Sequence, residues 1–277
     1  MRVRIVGCTG SMSGPRAAAS CYLVQAEGMD LSTGRVRTWN VVLDLGPGSF
    51  GQLWRHVDPC DLDAVVFSHC HADHMGDVIS LHVHRRWGPG RGHGRIVVAG
   101  PQGVLDRVRQ VDGVGEEEDY SAEFDIRTLH AGEPLVVGPL TLTPSTAWHT
   151  VPAFGLRVEG PADALAGAGA GDGAGADDNA RAVLFYTGDT DICDTIVEGA
   201  RGADLLLSEA GFTRDDQPRG IHMTGERVAE VATRAAVDRV VVTHIQPWTD
   251  PQVVVDEVRS TWDGALDVAS AGQLHTL

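Results

Sequence analysis

The chain has 277 residues, of which 43% are hydrophobic, so it is long and apolar enough to bury a sizeable core. Its formal net charge of −16 disfavours a long nucleic-acid partner, because an acidic surface repels phosphate backbones. No apolar run approaches the ~20 residues of a membrane span, so we expect no membrane contact.

The chain starts with MRVRIVGCTGS, which moves from a strand-like alternation directly into glycines. This segment lacks the apolar core of a signal peptide. The five cysteines show no paired spacing, which is typical of reduced thiols in a reducing compartment. We therefore expect a cytoplasmic protein that forms one domain over residues 1–277.

Short apolar or alternating runs predict strands at 2–7, 20–26, 38–46, 63–69, 95–100, 134–145, 154–159, 182–189, 203–210 and 238–244. Apolar residues at helical intervals predict helices at 76–87, 101–111, 225–237 and 250–262. The early strands follow one another directly, whereas the later ones alternate with helices. This mixture indicates an α/β fold of two mixed sheets with outer helices. The Gly/Ala/Asp-rich residues 160–180 predict a flexible excursion between two strands.

The segment SHCHADHMGD at 68–77 crowds three histidines and two aspartates behind an apolar run. Burial of imidazole and carboxylate without partners is costly, and a metal cation would satisfy both groups. His69 and His71 are two residues apart, so an extended chain directs both imidazoles to one side. Asp73 and His74 follow at the turn into the next helix and can face a second position. The segment therefore predicts metal binding.

Other strand-like segments also end in groups that can bind metal or move protons, namely His149, Asp189, Glu209 and His244. If these strands run side by side, their ends meet at one edge of the sheets. Two metal ions about 3.5–4 Å apart need a bridging carboxylate, which Asp189 can supply. The first site would use His69, His71, His149 and Asp189, and the second would use Asp73, His74, Asp189 and His244. These ligands favour two zinc ions, with manganese or iron as alternatives.

The segment HCHADH at 69–74 resembles the HxHxDH motif of the metallo-β-lactamase superfamily, in which four ligands stand at fixed spacing. Further segments resemble successive parts of that family in the same order, at 7–24, 41–53, 147–159 and 186–190. The resemblance extends from the N-terminus to about His244. It implies that the two sheets and their helices form an αββα sandwich.

Within this superfamily, the chain is similar to the ribonuclease Z-like phosphodiesterases. SEAGF at 208–212 resembles their His-Glu-Ala-Thr-Phe segment, and HMT at 222–224 resembles their His-Ser-Thr segment. The resemblance implies that Glu209 and His222 form a proton-handling pair beside the metals, and that Asp73 also aims the nucleophile. Ser208 and Gly211 depart from the family segment. The resemblance is also the ground on which we expect a homodimer.

Ribonuclease Z grips precursor tRNA with a long basic arm between its third histidine and its bridging aspartate. Here that interval holds the acidic Gly/Ala tract, with only Arg157 and Arg181 for positive charge. We therefore predict a dinuclear zinc phosphodiesterase for a small phosphodiester, such as a cyclic nucleotide or cyclic phosphate. The alternatives are a tRNA 3′-processing endoribonuclease, an ester, thioester or lactone hydrolase, and a non-catalytic metal-bearing scaffold.

Overall fold

In the computed structural model, which describes residues 1–163, 180–216 and 218–277, two mixed β-sheets pack face to face. Helices cover the outer surface of each sheet. This arrangement confirms the αββα sandwich. The predicted flexible excursion at 160–180 lies outside the described residues, apart from its ends at 160–163 and 180.

The first sheet has an antiparallel half and a parallel half. In chain order its strands are β1 (Arg2–Thr9), β2 (Ala18–Ala19), β3 (Cys21–Asp30), β4 (Arg35–Leu43), β5 (Ala64–Val66), β6 (Ile96–Gly100), β7 (Phe124–Thr128) and β15 (Leu274–Thr276). Strand β1 pairs antiparallel with β3 and β15, and β3 pairs antiparallel with β4. Strands β4 to β7 run parallel to one another.

The second sheet is divided in the same way. Its strands are β8 (Leu135–Val137), β9 (Leu140–Thr146), β10 (Phe154–Pro161), β11 (Arg181–Tyr186), β12 (Leu205–Glu209), β13 (Arg239–Thr243) and β14 (Ala265–Val268). Strands β8 to β11 are antiparallel, whereas β11 to β14 are parallel. The parallel halves place the carboxyl ends of several strands at the same edge.

Crossover helices connect the parallel strands, as parallel pairing requires. They are α1 (Ser49–Leu53), α2 (Ala72–Met75), α3 (Val78–Arg86) and α4 (Val104–Asp112) on the first sheet, and α5 (Asp194–Gly199), α6 (Gly225–Ala235) and α7 (Pro251–Arg259) on the second. Helix α6 starts after Thr224, whose side chain accepts a hydrogen bond from the Arg227 amide. Helix α7 starts after Asp250 with Pro251 in its first turn.

The main core lies between the two sheets. Buried side chains of the first sheet, such as Val3 and Leu43, pack in one cluster with Leu156 and Leu207 of the second sheet. Two further clusters lie between each sheet and its helices. Within the described part of the chain, none of the helices has the length and apolar content needed to span a bilayer.

Two of the differences between the structure and the predicted elements have a direct physical reason or bear on the site. The strand predicted at 134–145 is two strands, β8 and β9, because the chain turns at Gly138 with φ of +57°. A Cβ atom at Gly138 would lie 2.1 Å from the Trp39 ring, so only glycine fits there. The helix predicted at 76–87 is preceded by a separate turn of helix, α2, which carries Asp73 and His74.

Candidate metal centre

The carboxyl ends of parallel strands from both sheets meet at one edge of the sandwich. His69 follows β5 in the first sheet, while Asp189 and His244 follow β11 and β13 in the second. His74 lies on α2 and reaches the second-sheet residues, with its Nε2 atom 3.2 Å from Asp189 Oδ1 and 3.2 Å from His244 Nε2. The edge therefore joins residues that are more than 100 positions apart in the sequence.

Three histidines form the first cluster. His71 Nδ1 lies 3.1 Å from His69 Nε2 and 3.1 Å from His149 Nε2. His149 Nδ1 donates a hydrogen bond of 2.8 Å to the Ile221 carbonyl, which fixes the ring and leaves Nε2 facing the cluster. Burial lowers the pKa of all three imidazoles, which favours the neutral form that binds metal.

Two aspartates and two histidines form the second cluster, composed of Asp73, His74, Asp189 and His244. Asp73 Oδ2 lies 3.3 Å from both His74 Nε2 and His244 Nε2. Asp189 Oδ2 lies 3.4 Å from His244 Nε2 and 3.8 Å from His69 Nε2, so this carboxylate faces both clusters. The position of Asp189 is the one that a bridging ligand requires.

The side chains of both clusters fit bound divalent cations. Although Asp189 Oδ1 lies 3.2 Å from His74 Nε2, it is buried without a hydrogen bond within the described residues, which is costly for a carboxylate. Burial lowers the pKa of His74, but Asp189 and Asp44 outweigh burial and raise that pKa well above its usual value. The site therefore has a negative field that attracts positive charge, as a cation would supply.

Asp44 supports the second cluster and was missed by the sequence analysis. Its carboxylate is fully buried and lies 2.7 Å from His74 Nδ1. It also accepts hydrogen bonds from Ser68 Oγ at 2.8 Å and from the Tyr186 hydroxyl at 2.6 Å. These contacts orient His74 so that Nε2 faces the cluster. The signal that identified Asp189, a carboxylate at the end of a predicted strand, also applied to Asp44.

Glu209 and His222 lie next to both clusters. His222 Nδ1 is 3.1 Å from Glu209 Oε1 and 3.8 Å from Asp189 Oδ2. Burial lowers the pKa of His222, but the Glu209 carboxylate outweighs burial and raises that pKa to about 9. The departure at Gly211 has a steric reason, because a Cβ there would lie 2.9 Å from the His222 ring. The structure thus brings together all nine residues that the sequence analysis named for metal binding and proton transfer.

A second missed residue, Asp191, fixes the loop that carries His222. Its buried carboxylate accepts hydrogen bonds from Arg219 Nε at 2.5 Å and from the Gly220 amide at 2.9 Å. It also accepts one from Arg227 Nη1 of α6 at 3.2 Å. The Arg219 guanidinium lies 5.6 Å from the centre of the half-exposed Trp148 ring, beside His149 in the chain. A cation and an aromatic face therefore border the site.

Comparisons with known proteins agree with this architecture. A family model described as the beta-lactamase superfamily domain matches residues 39–245. The uncharacterised protein Rv1339 of Mycobacterium tuberculosis is 36% identical over 267 residues, which cover 95% of this chain and 88% of that protein. Ribonuclease Z of Myxococcus xanthus is 27% identical over 268 residues, which cover 84% of this chain and 86% of the other.

A third relative has a solved structure. The probable metallo-hydrolase YhfI of Bacillus subtilis is 24% identical over 275 residues, which cover 98% of each chain. Its crystal structure, described as a metallo-beta-lactamase fold protein, superposes with a TM-score of 0.80 over 99% of this chain and 98% of that chain, at 22% identity. This superposition supports the fold independently of the sequence motif.

Proposed function

Because this chain belongs to the metallo-β-lactamase superfamily, we propose that it is a metallo-hydrolase that cleaves a small phosphodiester at a dinuclear zinc centre. The observation that carries the phosphodiester proposal is the 3.1 Å contact between His222 Nδ1 and Glu209 Oε1, directly beside the metal clusters. Departure of an alkoxide from phosphorus requires a proton, and this pair supplies a histidine that is held in its protonated form.

The two clusters have separate tasks in this proposal. His69, His71 and His149 would hold one cation, Asp73, His74 and His244 would hold the other, and Asp189 would contact both. When bound, two zinc ions supply Lewis acidity, which lowers the pKa of water to about 7 and offsets charge on the phosphate oxygens. Asp73 is only partly buried beside this centre, so its carboxylate can also orient the attacking water.

His222 acts as the general acid. With a pKa of about 9, its imidazole is protonated at neutral pH and can donate the proton that the leaving alkoxide takes up. Glu209 keeps the ring charged and in place, and is itself held by the amides of Thr190 at 3.0 Å and Gly211 at 2.7 Å. A thioester does not need this general acid, because its thiolate leaves without a proton. A lactone releases an alkoxide that does take up a proton, so the substrate panel has to separate it from a phosphodiester.

Several features support a small substrate. Arg157, one of the two arginines between His149 and Asp189, donates hydrogen bonds to the carbonyls of Gly199 and Arg201 and so supports the scaffold. Arg219 beside the Trp148 ring offers one cation and one stacking surface, which suits a cyclic nucleotide or a cyclic phosphate with an aromatic group. The ribonuclease Z relative supports phosphodiester chemistry in this group of proteins.

The test is a substrate panel on zinc-loaded enzyme. It comprises bis(p-nitrophenyl) phosphate, 3′,5′- and 2′,3′-cyclic nucleotides, a precursor tRNA, a lactone and a thioester. We expect the small phosphodiesters to be turned over with the highest kcat/KM. Faster cleavage of the lactone or thioester would favour the carboxylic ester alternative, and cleavage of the tRNA alone would favour the endoribonuclease. Full metal occupancy with no turnover of any substrate would favour a scaffold.

The division of roles predicts the behaviour of His222→Ala. This variant should lose about 10²–10⁴-fold in kcat on a phosphodiester with a poor leaving group, while its metal content stays unchanged. The loss should be much smaller for p-nitrophenyl esters, whose leaving group needs no proton. His130→Ala, at an exposed histidine, is the matched control. Joint loss of metal and activity in His222→Ala would contradict the assignment.

A further inference from the structure

A second group of potential ligands lies at the opposite end of the first sheet from the metal centre. Asp58 caps a short 3₁₀ turn (Pro59–Asp61) that contains Cys60 and precedes β5, whereas the centre follows the end of that strand. His84 lies in the last turn of α3, which leads away from the centre. We propose that Asp58, Cys60 and His84 bind one further zinc-type divalent ion, separate from the catalytic centre.

The three side chains already converge. One ligand atom from each of Asp58, Cys60 and His84 lies within 4.8 Å of the other two. The Asp58 carboxylate accepts a 2.9 Å hydrogen bond from the Cys60 amide, which fixes the two residues relative to each other. Thiolate sulfur, imidazole nitrogen and carboxylate oxygen are the donor set that zinc prefers, with one position left for water or a fourth side chain.

His84 gives an independent indication of a ligand. Only 4% of this residue is exposed, and both ring nitrogens lack a hydrogen-bond partner among the described residues. Phe50 and Trp54 contact the ring at 5.8 and 4.9 Å between centroids, and a Cβ at Gly90 would lie 2.9 Å from Nδ1. The imidazole therefore has no room to rotate toward other partners. An unsatisfied buried imidazole is unfavourable, and a cation beside it would remove this penalty.

Arg85 and His93 are the charged groups that face the cluster. Burial raises the pKa of the Cys60 thiol, and the buried Arg85 guanidinium opposes this shift. The Nε and Nη1 atoms of Arg85 have no hydrogen-bond partner among the described residues. His93 exerts only a minor electrostatic influence on Asp58 and His84, so the fourth position is left for water. When the ion binds, the Cys60 thiol releases its proton to solvent, and the resulting thiolate also gives Arg85 a counter-charge.

Cobalt(II) provides a probe that separates this site from the catalytic centre. Cobalt bound to a thiolate shows a ligand-to-metal charge-transfer band in the near ultraviolet, and the catalytic clusters contain only imidazole and carboxylate groups. We expect the wild-type protein to show the band, and Cys60→Ser to lose both the band and one bound metal ion per chain. Cys70→Ser is the matched control, because Cys70 is also half-buried but packs against the hydrophobic side chains between the first sheet and its helices.

Three further variants complete the test. The double variant His69→Ala/His71→Ala should keep the band although its catalytic centre is impaired, so failure of the proposed function would not hide the second site. His84→Asn should lose the band with unchanged far-ultraviolet circular dichroism, and Asp58→Asn serves if His84→Asn fails to fold. Absence of the band in wild-type protein, or its persistence in Cys60→Ser, would overturn the proposal.

Discussion

The buried Asp44 carboxylate sets the orientation and the basicity of His74, a candidate metal ligand. Besides its contact with His74, the Asp44 carboxylate accepts a 2.7 Å hydrogen bond from the Ser68 amide. The backbone of Asp44 has an unusual positive φ of +57°. This left-handed backbone conformation is adopted more readily by aspartate than by bulky residues. The hydrogen bonds of the carboxylate hold Asp44 in it. The charge of Asp44 also increases the basicity of His74, as carboxylate partners of metal-binding histidines do.

The role of Asp44 predicts the effect of Asp44→Asn. The amide keeps the size of the side chain but removes its charge, so we expect zinc affinity to fall by about 10–100-fold. Competition titration with a chromogenic chelator measures this change. Asp63→Asn is the control, because Asp63 is a partly buried carboxylate paired with Arg37 elsewhere on the first sheet. Equal affinity in Asp44→Asn and wild-type protein would show that His74 does not need this partner.

Glu209 determines the pH range in which His222 carries a proton. The protonated form of His222 is lost as pH rises through about 9. Glu209→Gln removes the carboxylate that raises this pKa and leaves the burial that lowers it. The alkaline limb of the kcat profile should therefore move to lower pH, by at least one unit. An unchanged limb would assign it to another group, and Glu226→Gln, on the exposed face of α6, is the control.

At the scale of elements, α7 holds the start of α6 and the loop before it. Glu257 of α7 is buried, and its Oε2 accepts a 2.9 Å hydrogen bond from the Gly225 amide in the first turn of α6. Its Oε1 accepts a 2.7 Å hydrogen bond from the Arg214 amide in the preceding loop. Because that loop leads to His222, the packing of two outer helices helps to position the proposed general acid.

The contacts of Glu257 predict a loss of stability in Glu257→Ala. The buried Gly225 amide and the partly buried Arg214 amide would lose their acceptor, which should lower the free energy of unfolding by about 1–3 kcal/mol in urea titrations. Glu230→Ala is the control on α6, where the exposed pair with Arg234 contributes less than about 0.5 kcal/mol. Similar destabilisation by the two variants would indicate that burial of Glu257 has no special role.

At the scale of the whole molecule, the candidate metal centre lies between the two sheets. His69, His71 and His74 come from the first sheet and its helix, whereas His149 and Asp189 come from the second. Cations bound there would connect the halves of the sandwich at the edge where their strands end. Metal binding should therefore stabilise the complete fold as well as the active site.

Removal of metal tests this connection. In the Cys60→Ser background, which excludes the second proposed site, a chelator should lower Tm by several degrees, and added zinc should restore it. A ligand at 100 times its Kd contributes about 2.7 kcal/mol, and each kcal/mol corresponds to roughly 2–4 °C in a domain of this size. In the same Cys60→Ser background, a His71→Ala/His244→Ala variant, which lacks one ligand of each cluster, should respond much less to the same chelator. A Tm that does not respond to chelation in the Cys60→Ser protein would contradict the prediction.

The layered fold and the grouping of the ligand-capable residues could be predicted from the sequence, because hydrophobic periodicity locates strands and the polar residues at their ends are visible in the chain. The short strands β2, β7, β14 and β15 and the brief helices α1 and α5 were not predicted, since each has too few residues for a clear periodic pattern. The partners of each side chain became known from the three-dimensional structure alone. Asp44 and Asp191 acquire their roles from distant donors, such as Tyr186 and Arg227, and hydrogen bonds between distant residues leave no local pattern.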